Sequence, residues 1–276
     1  YMSGSDSLGA TDGTVTATDQ SGATFTGTIK SGAYTITLHK NRTYKLYFDC
    51  GSKEGLISSV AVGETAVTQN FDSSKFGPKV NWVEKGGRTI TMHDTTAESS
   101  YGYTVSDNTN GDKAFGVMGS ATGDFMISAR VVNGKGRHIG IGMRYKVGNA
   151  TKFLSFIKSG GGSAICAYDG QGWSTSTAVP GSWDIDDYTY TVVRKNNEIK
   201  VYVNDSPICT YSGKVTISSN ADYTLSEIGT VEVGLALCWT KSGNVATAGT
   251  TSATFTGYSF STDSAAIEGY IATHTA

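Results

Sequence analysis

The sequence predicts an all-β chain folded as two unequal sandwiches, and three observations predict it. Apolar and polar residues alternate with period two in Tyr34-Thr-Ile36-Thr-Leu38, Ile139-Gly-Ile141-Gly-Met143-Arg-Tyr145 and Ile199-Lys-Val201-Tyr-Val203, the pattern of strands that bury one face. Glycine occurs 35 times, and the dipeptides Asn110-Gly111, Asn133-Gly134 and Asp169-Gly170 stand where hairpin turns need positive φ. The 276 residues exceed what one small sandwich needs, and helical periodicity is nearly absent.

Taken in order, residues 1–10 are rich in Ser and Gly and read as a linker or remnant outside the fold. Residues 11–74 hold Gly13-Thr-Val15, Ser31-Gly32-Ala-Tyr34-Thr-Ile36-Thr-Leu38 and Thr43-Tyr44-Lys-Leu46-Tyr-Phe48. The Gly-x-Tyr-x-Ile-x-Leu run followed by a Thr-Tyr strand resembles the small carboxypeptidase-regulatory, or prealbumin-like, β-sandwich of bacterial surface proteins. That resemblance implies a stalk or packing unit. Ser73-Ser-Lys-Phe-Gly-Pro78 is a turn-rich joint, with the boundary expected near residue 76.

Residues 76–262 read as one larger strand-rich unit. Its most informative stretch is Asp187-Tyr-Thr-Tyr-Thr-Val-Val-Arg194-Lys-Asn-Asn-Glu-Ile-Lys-Val-Tyr-Val-Asn204-Asp205, two alternating strands around an Asn-Asn turn. This hairpin and the closing run Ala253-Thr-Phe255-Thr-Gly-Tyr-Ser-Phe260 resemble the laminin-G-like, or concanavalin A-like, fold. The resemblance implies a two-sheet antiparallel jelly roll with its first and last strands side by side. Residues 263–276 lose the strand period and are expected to form a short helix or a linker.

Charged residues make up 17% of the chain, below the roughly 25% of an ordinary globular domain. The surface is therefore built from Ser, Thr, Asn and Gly, which favours an extracellular setting and a fragment of a larger secreted surface protein. A formal charge of −2 supplies no field for gathering phosphate or anionic lipid, so neither nucleic acid nor membrane insertion is expected. The one basic concentration, Lys135, Arg137, His138, Arg144 and Lys146, is interleaved with glycine and reads as solvated loop charge. Cys50, Cys166, Cys209 and Cys238 show no Cys-x-x-Cys spacing and are read as buried free thiols rather than zinc ligands.

Catalytic patterns are missing. Glu-x-Asp-x-x-Glu, which places two carboxylates for retaining glycoside hydrolysis on this kind of jelly roll, does not occur, and His39, His93, His138 and His274 are scattered. The acidic group Asp184-Ile-Asp186-Asp187 is short of Glu and reads as solvated loop charge or a weak calcium site, whereas the stretch Asp107-Asn-Thr-Asn-Gly111-Asp112 lacks the spacing of a calcium loop and reads as a tight turn. Laminin-G-like relatives often hold one calcium at the rim, so a structural calcium is left open and unassigned; no other cofactor is expected.

Four tryptophans remain. Trp82 and Trp239 lie in apolar strand contexts and read as core. Trp173, in Tyr168-Asp-Gly-Gln-Gly-Trp173-Ser-Thr-Ser-Thr, has little apolar company; Trp183, in Pro180-Gly-Ser-Trp-Asp, is the next candidate, with half-burial under the following strand as the alternative. Tyr168, Trp173 and Trp183 are therefore the candidate ligand-binding residues. The chain is expected to be a non-catalytic binding module. A spacer followed by a jelly roll resembles large surface proteins of gut Gram-positive bacteria, including immunoglobulin-binding ones, which implies an adhesin with a host protein as partner. The alternative is a lectin-like module in which Tyr168 and Trp173 stack on sugar faces.

Overall fold

The computed structural model describes residues 1–9, 11–96, 101–106, 112–136, 138–158, 164–175, 177–178, 187–218, 220–238 and 251–275. The regular secondary structure of the described residues is almost entirely strand, with one α-helix, as the alternation predicts. They divide into two compact units, Tyr1–Lys79 with Met92–Tyr103, and Val80–Thr91 with Thr104–Ala276. The change of unit falls at Lys79, a few residues past the expected joint, and the first unit takes back residues 92–103.

In the first unit the strands are β1 (Met2–Ser5), β2 (Gly13–Asp19), β3 (Thr24–Ile29), β4 (Ala33–Ile36), β5 (Arg42–Asp49), β6 (Lys53–Val62), β7 (Val67–Thr68) and β8 (Gly77–Pro78). They form two sheets, in the orders β4-β1-β7 and β3-β2-β5-β6-β8. Inward residues recur at every second position because successive strand side chains point to opposite faces: Tyr44, Leu46 and Phe48 on β5, Val15 and Ala17 on β2. Met2, Tyr34, Phe48, Phe71 and Phe76 meet in the same core. The expectation that residues 1–10 lie outside the fold is corrected here. β1 pairs antiparallel with β4 and parallel with β7, and Met2 has no exposed surface; one large apolar side chain suffices to seat this Ser/Gly-rich strand.

The second unit contains β9 (Asn81–Glu84), β10 (Ile90–Met92), β11 (Gly102–Val105), β12 (Ala114–Ala121), β13 (Phe125–Lys135), β14 (Ile139–Val147) and β15 (Ala150–Lys158). It continues through β16 (Ala164–Tyr168), β17 (Thr177–Ala178), β18 (Asp187–Lys195), β19 (Glu198–Val203), β20 (Ser206–Ser212), β21 (Lys214–Thr216), β22 (Asp222–Thr224), β23 (Val231–Leu237), β24 (Ser252–Ser261) and helix α1 (Ser264–Thr273). β10 and β11 straddle the change of unit. Two seven-stranded sheets run β10-β11-β24-β13-β18-β19-β20 and β17-β16-β15-β14-β23-β12-β9, with β21 and β22 as a separate hairpin. The final strand β24 lies between β11 and β13, so an early and the last strand are neighbours. β18 and β19 pair from Lys195↔Glu198 across the Asn-Asn turn, where Asn196 has φ 54°. Asn133-Gly134, expected as a turn, instead lies inside β13, where the register with β24 shifts between Val132 and Lys135; the positive φ is used for a bulge.

Register pairing determines which residues share a face. Ile141 pairs Leu235 and Met143 pairs Val233, forming buried rows on one face of the β17-to-β9 sheet. The other face carries Tyr168, Ser155, Gly142, Gly234 and Val117 in one row and Cys166, Ile157, Gly140, Ala236 and Phe115 in the next. That second face has its own buried cluster of Phe115, Ile157, Cys166, Tyr168, Ala236 and Cys238.

Candidate functional site

Trp173 sits on a short hairpin at the end of β16. Asp169 organises the turn: its amide donates to the Gly172 carbonyl (3.2 Å), and its Oδ1 accepts the amides of Gln171 and Gly172, both at 2.9 Å. Gly170 adopts φ +95°, a conformation that glycine takes without a Cβ penalty. The second carboxylate oxygen accepts the Tyr223 hydroxyl at 2.7 Å, and Lys152 Nζ lies 5.4 Å from the centroid of the Tyr223 ring. Both oxygens of the turn carboxylate are thus engaged, one by the hairpin and one by β22.

The hairpin is anchored on both flanks. Trp173 forms a bridge with Tyr168, its amide donates to Ser218 Oγ (3.3 Å), and its carbonyl accepts the Ser218 amide (2.9 Å). Ser174 exchanges bonds with Ala167, amide to carbonyl at 2.9 Å and hydroxyl from the Ala167 amide at 2.9 Å. With its backbone held in this way, the indole is 47% exposed.

Tyr168 is corrected from a loop aromatic to a core residue. It ends β16 opposite Ser155, is 1% exposed, and its carbonyl accepts the Ser155 hydroxyl at 2.9 Å; burial pushes its phenol well above the ordinary tyrosine range. Its ring stacks on that of His138 (centroids 4.3 Å apart, planes 20° apart) and is near-parallel to that of Trp173 (6.5 Å, 24°). His138, read from the sequence as solvated loop charge, is 7% exposed and belongs to this stack. The sequence reading missed it because its burial comes from a strand pairing distant in sequence. Trp183, Trp239, Arg137, Asp184, Asp186 and residues 107–111 lie outside the described residues.

The remaining candidates are occupied by structural work. Asp187 is bound by Arg130, with Nε to Oδ1 at 2.7 Å. Arg144 meets Glu232 at 2.9 Å and Glu84 at 4.0 Å, while Lys113 pairs with Glu84 at 3.2 Å. Glu84 and Lys113 line a shallow depression together with Lys85, Gly86 and Asp112. Trp82 is half-buried on β9 rather than fully in the core. Among the described residues no group of three or more His, Cys, Asp or Glu could hold a metal ion.

All four cysteines are free thiols. Burial pushes Cys50, Cys209 and Cys238 up to about 11 and Cys166 up to about 12, so none is a thiolate nucleophile at neutral pH. The histidines occupy separate settings: His39 edge-on to Phe25, His138 against Tyr168, and His274 stacked on Tyr270 of α1; burial lowers the pKa of His93.

No family model matches the chain, and no curated protein matches it. Among solved structures it is similar to a functionally unknown protein from Saccharomyces cerevisiae, with a TM-score of 0.39 and 14% identity over 65% of this chain and 98% of that one. It is also similar to a sialidase, with a TM-score of 0.35 and 8% identity over 88% of this chain and 26% of that one. Likenesses this loose carry no argument about function.

Proposed function

We propose that this chain is a non-catalytic, extracellular binding module whose ligand is a carbohydrate stacked on Trp173. The observation that carries the proposal is an indole 47% exposed on a hairpin whose backbone is already hydrogen-bonded on both sides. A pyranose ring presents a face of C–H groups, slightly positive, which suits the electron-rich face of an indole. Exposed hydroxyls and amides nearby, on Ser218 and Asn220, can bond sugar hydroxyls. The resemblance of the second unit to laminin-G-like and concanavalin A-like jelly rolls agrees with this reading, with the prealbumin-like first unit as spacer.

The adhesin reading, with a host protein such as immunoglobulin as partner, takes second place. A standard protein interface buries about 1,600 Å² around apolar anchors, whereas the exposed large apolar residues among those described are four, Tyr1, Leu8, Val83 and Trp173. What favours a protein partner is β20, which ends its sheet and offers an edge for strand addition.

A glycan array run beside a pull-down from host secretions decides between them. The carbohydrate reading expects an array signal that Trp173→Ala abolishes with the melting temperature unchanged. A silent array with a saturable immunoglobulin capture that Trp173→Ala leaves intact overturns it in favour of the adhesin.

A further inference from the structure

We propose that His138 is a positioning residue of the Trp173 site: its imidazole, stacked behind Tyr168, fixes the tilt of the indole and thereby sets how strongly the site holds a sugar. For its ligand this rests on the carbohydrate reading; the stack itself does not.

Three observations carry it. The Tyr168 ring is near-parallel to that of His138 and to that of Trp173, with interplanar angles of 20° and 24°; His138 and Tyr168 are buried, at 7% and 1% exposure, whereas Trp173 is 47% exposed. Tyr168 belongs to the buried cluster and the buried Ser155 hydroxyl holds its carbonyl, so its backbone is fixed and the ring takes its orientation from the groups packed on it, His138 among them. His138 itself has φ +66°, the left-handed region in which a bulky side chain is uncommon and glycine is at ease. The surrounding chain uses glycine freely, at Gly134, Gly136 and Gly140, yet position 138 carries a ring.

That backbone conformation is imposed from both sides. The His138 amide donates to the Lys158 carbonyl (2.9 Å), and its carbonyl accepts the Cys238 amide (2.8 Å). The two bonds tie the residue between the end of β15 and the end of β23, so the direction of the imidazole follows from the ladder. An indole already held at one tilt loses less rotamer freedom when a ligand arrives, so the imidazole contributes to affinity without touching the ligand.

The test uses the full chain and two sugar probes, cellotriose and lactose. Glycine accepts φ +66° without strain, so His138→Gly removes the ring and leaves the backbone at ease; His138→Asn, whose side chain tolerates the same region, is the second variant should glycine fail to fold. The near-UV circular dichroism of Trp173 is isolated by subtracting the spectrum of the same protein carrying Trp173→Ala. The Trp173 band is expected to lose amplitude in His138→Gly, affinity for the bound probe to fall roughly ten-fold, and His138→Phe to restore both. Unchanged affinity and an unchanged band in His138→Gly overturn the proposal. Should the parent chain bind neither sugar, the carbohydrate reading fails for these probes, and the band alone decides whether His138 positions the indole.

Discussion

Gly142 pairs with Ser155 on one side and Gly234 on the other, and a Cβ added there would lie 2.9 Å from Phe153 Cζ and 3.0 Å from Phe115 Cε1. The two rings meet edge to face at 5.3 Å across the space that the missing side chain leaves. Gly142→Ala is therefore expected to destabilise the second unit by about 1–3 kcal/mol through overpacking, as measured by urea unfolding; a neutral result would mean that the rings swing aside. Asp94 gives a second residue-scale expectation. Burial alone would raise its pKa, but the amide and hydroxyl of Ser58 and those of Thr96 hold it down at about 2. A carboxylate depressed below its ordinary 3.8 adds stability that is fully present above about pH 4 and lost as pH falls through about 2. Unfolding followed between pH 5 and 2 should show this loss in the parent chain and a flatter profile in Asp94→Asn; parallel profiles would remove Asp94 from the account. The sequence made Trp173 legible as an exposed aromatic, because a glycine-rich polar run offers nothing to bury it. Tyr168, at the edge of the same run, was not legible, since its burial depends on pairing with Ser155.

At the scale of elements, α1 covers part of the β10-to-β20 sheet. Asp263 caps it by accepting the Ala266 amide at 2.9 Å, and Ile267, 1% exposed, packs on Val193 and Tyr202 beside Tyr270 and Ile271. Ile267→Ala is expected to cost about 2–4 kcal/mol and Asp263→Ala about 1 kcal/mol in chemical denaturation. If both prove neutral, the helix is not an integral part of the unit. Strands with clean alternation, such as β5, β14, β18 and β19, were legible from their period of two, but that period implied one buried face, whereas β14 and β18 are buried on both faces over most of their length. β1 was not legible, since Ser3, Gly4 and Ser5 surround the single apolar Met2 and composition resembles a linker. The bulge at Asn133-Gly134 was also hidden, because a turn and a bulge use the same left-handed backbone.

Across the whole molecule, the two units draw on separate cores. Met2, Phe48, Phe71 and Phe76 belong to the first, and Phe115, Ile157 and Tyr168 to the second. Two unfolding transitions are expected in calorimetry, with Met2→Ala lowering one midpoint and Ile267→Ala the other. One transition shifted by both substitutions would make the chain a single cooperative body. The all-β class was legible from the period of two. The return of residues 92–103 to the first unit was not, because contacts remote in sequence decide it: the Thr95 hydroxyl accepts the Leu56 amide (3.0 Å) and donates to its carbonyl (3.0 Å). Tyr103 likewise donates to both carboxylate oxygens of Glu54, at 2.6 and 2.8 Å, and Glu54 is 1% exposed.

That return has a consequence for synthesis. A chain made from its N-terminus usually completes a domain as soon as its last residue leaves the ribosome. Here residues 80–91, which belong to the second unit, are made before the first unit has received Thr95 and Tyr103. Until then the Glu54 carboxylate lacks the Tyr103 hydrogen bonds and Leu56 those of Thr95, and the first unit stays short of its final stability. A nascent chain stalled after residue 79 should be cut by protease within β6, and one stalled late enough to expose Tyr103 should resist.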